Sequence, residues 1–116
     1  MAKKLLIIKA ASDVCSSEIN HLISIAEMFG ISHCTIELKE ASDLTKKICA
    51  GEQFDFIYLG AHANTEYFGE SDGSIKISWS NLGLAFCTNN CLNAGAILLL
   101  GCCRGCLLYT SDAADE

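Results

Sequence analysis

Proline is absent from the 116 residues, basic residues are scarce and no apolar run is long. Eight Lys and Arg stand against 14 Asp and Glu, with no basic patch, which excludes the electrostatic footprint of a nucleic-acid partner. No apolar stretch approaches the ~20 residues that a membrane-spanning helix needs. The start, Lys3-Lys4-Leu5-Leu6-Ile7-Ile8-Lys9, has the look of a secretion signal, but its apolar part stops at Lys9 and is too short for the core of one. Together these absences predict a cytoplasmic protein without a nucleic-acid or membrane partner. No internal repeat or low-complexity segment occurs.

Cysteine is what the chain has in excess, with eight residues. Without a secretion signal, reduced thiols rather than a disulfide scaffold are expected. Cys34 and Cys49 sit among apolar neighbours and read as small buried hydrophobes. Cys87 and Cys91 flank Thr88-Asn89-Asn90 as a single pair with no histidine near it. That is a weak metal-ligand signal, and neither a metal nor a cofactor is expected. Cys103-Arg104-Gly105-Cys106 has the spacing of a redox pair. Its second cysteine opens the stretch Cys106 to Glu116, which looks like the in-frame translation of a sequencing adaptor. On that reading residues 1–105 are the N-terminal part of a single domain, 106–116 are a non-native tail, and three of the acidic residues belong to the tail.

In order, the chain alternates strand and helix. Leu5 to Lys9 is a buried strand. A helix follows from about Ser17 to Phe29, with Ile19, Leu22, Ile23, Ala26 and Phe29 on one face and Gly30 as its stop. Cys34 to Leu38 alternates like a half-exposed strand, and Ser42 caps a short helix through Leu44 and Ile48 to Gly51. His21 and His33 read as surface or boundary residues. The run Phe54 to His62 is another buried strand. Asp72-Gly73 marks the turn of a small hairpin above the sheet edge, and Ser78 or Ser80 caps a helix carrying Trp79, Leu82, Ala85 and Phe86. Five aliphatic residues, Ala96 to Leu100, then form a strand buried on both faces that delivers Cys103 to its carboxyl end. This succession predicts an α/β fold with a parallel sheet, right-handed crossovers and a functional edge at the strands' carboxyl ends.

The segment from Phe54 to Gly105 resembles the core of the caspase-like cysteine peptidases, including their bacterial CHAT branch. Leu59-Gly60-Ala61-His62-Ala63 matches the strand that ends in a histidine, Phe68-Gly69 with Asp72-Gly73 the hairpin, and Gly101-Cys102-Cys103-Arg104-Gly105 the cysteine motif. In that family the histidine lies ~50 residues upstream of the cysteine, and His62 stands about one loop closer. The resemblance implies a three-layer caspase-like (flavodoxin-like) sandwich with a mostly parallel sheet, C-terminally incomplete. It implies peptide-bond hydrolysis of a peptide or protein substrate by a His62/Cys103 dyad, with oxyanion donors at the backbone N–H groups of Ala63 and Cys103, and an inactive fragment as the chain stands.

Ala63 replaces the family's usual glycine. Gly101 stands where caspases carry a pocket-lining glutamine, and Lys9 and Asp13 follow the first strand; these three are candidates for the specificity pocket. Lys9 and Asp13 predict opposite substrate charges, and both stay open. Cys102 is the competing nucleophile, although adjacent strand residues face opposite ways and only one of the pair can face His62. The alternatives are a non-catalytic flavodoxin-like binding module and a zinc or redox role for the clustered cysteines. Oligomeric state is not readable from the sequence.

Overall fold

The computed structural model describes residues 3–12, 16–44, 48, 52–70 and 72–102. Its elements are β1 (Lys4–Lys9), α1 (Ser16–Met28), β2 (Ser32–Glu37), β3 (Phe54–Ala63), β4 (Tyr67–Gly69), β5 (Lys76–Ser78), α2 (Trp79–Asn89) and β6 (Leu92–Cys102). The fold is α/β, with a mixed open sheet. β2, β1, β3 and β6 pair in that order as parallel neighbours, and β4 and β5 add an antiparallel hairpin beyond the end of β3.

The apolar run of β1 is continuous because both of its faces are covered. Leu5 and Ile7 pack with Ile19 and Ala26 of α1 and with Tyr58 of β3. Leu6 and Ile8 share a second cluster with Leu59, Ala61 and Phe68 and with Leu82, Ala85 and Phe86 of α2. The two helices therefore cover opposite faces. Crossovers of the same hand account for this: β1 to β2 steps one way along the sheet and β3 to β6 the other, so their helices fall on opposite sides.

Local signals set the helix ends. Gly30, at φ +71°, closes α1: its N–H donates to the Glu27 carbonyl (3.2 Å) and that of Ile31 to the Ala26 carbonyl (2.8 Å), the double bond of a Schellman turn. Ser78 caps α2, its Oγ accepting from the Asn81 N–H (3.1 Å). Asn90, at φ 51°, ends α2 in the same manner as Gly30. Of the short helix expected after Ser42, Leu44 and Ile48 are buried and joined by an Ile48 N–H to Leu44 carbonyl bond (3.2 Å); its remainder lies outside the described residues.

Two expectations are corrected. Cys34 is exposed, because β2 is the outer strand and only Ile36 of its six residues is buried. The aliphatic run of β6, expected to be buried on both faces, is open: Ile97 to Leu100 are 51, 44, 40 and 38% exposed. Among the described residues β6 pairs only with β3, and none of its residues joins either core cluster. The register slips between Phe54 and Phe56, with Gly95 at φ +79° inside the irregularity. Asp55 braces this end, accepting from the Lys4 N–H (2.9 Å) and the Asn93 amide (3.1 Å).

Candidate functional site

His62 is the penultimate residue of β3, at the strand's carboxyl end, and is half-buried. Ile57, Leu59 and Ala61 face α2 and Tyr58 faces α1, so strand alternation puts His62 on the α1 face. Its pairing with Gly69, and that of Ala63 with Phe68, join β3 to the hairpin.

The backbone of Ala63 follows from the same ladder. The Asn64 N–H donates to the Tyr67 carbonyl (2.9 Å), so Ala63 and Phe68 are a pair whose own N–H groups point away from each other. The Gly60 carbonyl accepts the Ala10 N–H (2.9 Å) on the β1 flank. Alternation therefore directs the Ala63 N–H to the other flank, where β6 runs. On that flank β6 advances in parallel register, Gly60 opposite Gly101 and Ala61 opposite Cys102.

A cleft of about 440 Å³ opens beside His62, lined also by Tyr67, Gly69, Glu70, Asp72 and Lys76. Gly69, at φ +148°, is closely covered: a Cβ there would run into the Ile75 carbonyl. The Lys76 ammonium lies 4.5 Å from the Tyr67 ring centroid. Glu70 ties the hairpin to the loop after β1, accepting from the Ser12 N–H (2.7 Å) and hydroxyl (3.3 Å). Asp72 accepts the Ser74 N–H (2.8 Å), and the backbone and side-chain hydrogen bonds of Ser74 hold its carboxyl below the ordinary value. The expected turn at Asp72-Gly73 is thereby formed, with Gly73 at φ +83°.

Of the residues expected to shape specificity, Lys9 lies at the end of β1, opposite Gly60, and its Nζ is 3.7 Å from the Glu37 carboxylate. Gly101 lies against the Tyr58 ring. Asp13 and Cys103 lie outside the described residues. Comparison with protein-family models, curated proteins and solved structures finds no match.

Elsewhere, Cys91 is buried and its Sγ donates to the Phe86 carbonyl (3.6 Å), while Cys87 is exposed. Burial pushes the Cys91 thiol above its ordinary value. Among the described residues no group of three His, Cys, Asp or Glu side chains is placed to hold a metal ion. No helix among them is long and apolar enough to cross a membrane. His33, expected at the surface, is exposed and meets Glu27 at 3.2 Å across the turn that ends α1.

Sequence reading missed Asn64 and Trp79, which hold the loop after His62. An asparagine two residues beyond the histidine and just before the hairpin was the available signal, since Asn side chains cap their own turns.

Proposed function

We propose that the chain carries the His62/Cys103 dyad of a caspase-like cysteine endopeptidase, built on a three-layer, mostly parallel caspase-like sandwich. The observation that carries this reading is the β3–β6 register. With Ala61 opposite Cys102, β6 runs parallel to β3 up to the residue before His62, bringing the two strand ends of the sequence motif side by side. Adjacent strand residues face opposite ways, so only one cysteine of the Cys102-Cys103 pair can share a face with His62.

In this reading His62 takes the proton of Cys103, because a free thiol at neutral pH is mostly protonated and the thiolate is the nucleophile. The thiolate attacks the carbonyl of a peptide or protein substrate, and the imidazolium returns the proton to the leaving amine. The N–H groups of Ala63 and Cys103 hold the oxyanion; losing one such donor typically costs ~10²–10³ in rate. The direction of the Ala63 N–H supports that role.

The test is alkylation of Cys103, followed by peptide-resolved mass spectrometry, in wild type and His62→Ala. The peptidase reading expects labelling near neutral pH to fall strongly in the variant. Equal rates would instead favour a flavodoxin-like binding module, to which the β2-β1-β3-β6 strand order is equally suited.

A further inference from the structure

The loop after His62 is held by a network that a short turn does not need. Asn64 begins it. Its Oδ1 accepts the N–H groups of Glu66 and Tyr67, both at 2.8 Å, and its own N–H donates to the Tyr67 carbonyl (2.9 Å). The remaining polar backbone atom, the Asn64 carbonyl, accepts the indole N–H of Trp79 at 2.8 Å. Trp79 then returns a second bond, its backbone N–H donating to the Glu66 carbonyl (3.2 Å).

Trp79 is itself rigidly seated. It is the first residue of α2, directly after the Ser78 cap, and its ring meets that of the buried Phe68 with centroids 5.0 Å apart. Phe68 pairs with Ala63 across the ladder, and both Ala63 and Trp79 pack on the α2-side core. The start of α2 thus grips both ends of the segment 64–66.

We infer that Trp79 is a positioning residue for His62 and for the Ala63 backbone, acting through Asn64; the inference rests on the peptidase reading of that histidine. An indole contributes both a fixed ring and one directed N–H, and here the ring anchors in the core while the N–H holds the loop. His62 lies on the opposite face of the sheet from Trp79, so any effect of Trp79 on the imidazole travels through the backbone rather than through ring contact.

Trp79→Phe keeps an aromatic ring against Phe68 and removes only the indole donor. NMR on the full chain reads the His62 ring resonances at fixed pH and the amide exchange of Asn64 and Tyr67. Leu82→Ala, in the core face of the same helix, is the control for general loss of stability. The expected result is a shift of the His62 ring signals and several-fold faster exchange at Tyr67 in Trp79→Phe, with the ring signals unmoved in Leu82→Ala. Asn64→Ala, which deletes the Oδ1 acceptor, gives the same shift.

His62 signals that superimpose in wild type and Trp79→Phe overturn the inference, and so do signals that move equally in Leu82→Ala. The peptidase reading fails separately, by Cys103 labelling that ignores His62. In that outcome a shift in Trp79→Phe leaves the loop clamp standing without its catalytic purpose.

Discussion

Tyr58 of β3 lies across Gly101 of β6, so closely that a Cβ on Gly101 would overlap the phenol oxygen and ring edge. The register pairs Tyr58 with Leu99 and Gly101 with Gly60, so the ring leans along the ladder toward the carboxyl end, onto Gly101. Gly101→Ala must therefore displace a buried aromatic ring. Overpacking of this kind costs about 1–3 kcal/mol, and denaturant unfolding should show it. In a double-mutant cycle with Tyr58→Ala the two losses should sum to less than additive, because the second change removes the obstacle. Strict additivity would mean that the ring does not press on Gly101.

Gly69→Ala should damage the hairpin through the backbone instead. Its φ of +148° disfavours any side chain, and the new Cβ meets a carbonyl rather than a movable side chain. Hydrogen exchange at the Glu70 amide, which donates to the Ile75 carbonyl (3.0 Å), should accelerate while exchange in β1 stays near wild type.

Acid should weaken the amino end of the sheet through Asp55. The Lys4 N–H, with help from the Asn93 amide, holds this carboxyl below its ordinary value. A depressed folded value means that the contribution is fully present above the unfolded value of ~3.9 and is lost as pH falls through the lower, folded one. Asp55→Asn should therefore show a shallower decline of the urea midpoint below that range than wild type. Parallel declines in the two proteins would remove Asp55 from the account.

Native-state alkylation should separate two cysteines that share one helix end. Cys87 is exposed and should label readily; Cys91 is buried, with its thiol pushed upward by desolvation, and should label only when urea opens the core. The sign for stability is the reverse of that for Asp55. Above the ordinary thiol value of ~8.5 the unfolded chain ionises Cys91 before the folded one does, so its contribution declines as pH rises. Comparable labelling of the two cysteines without urea would contradict this arrangement.

The open face of β6 predicts association. Residues 92 to 102 hold no charge and no proline, the devices that natural edge strands use against pairing. Light scattering should show concentration-dependent assembly of the chain, and Leu98→Lys should suppress it. A monomer with sharp two-state unfolding at high concentration would contradict the prediction.

Features with local causes were legible in the sequence. The apolar runs of β1 and β3, the stop of α1 at Gly30, the Ser78 cap and the Asp72-Gly73 turn each rest on neighbouring residues, and each is found near its expected place. The position of His62 at a strand end was legible for the same reason, since the run from Phe54 stops there. Tertiary structure alone decided which residues meet across distance. Tyr58 against Gly101, Glu70 on Ser12, Lys9 beside Glu37 and Trp79 on Asn64 join residues 15 or more positions apart, and no spacing encodes them. Burial followed the same division. Cys34 and the Ile97 to Leu100 run have the composition of buried segments, but they sit on the two flanks of the sheet. An apolar side chain is buried only where another element packs over it, and which elements pack there is settled by strand order rather than by the residue itself.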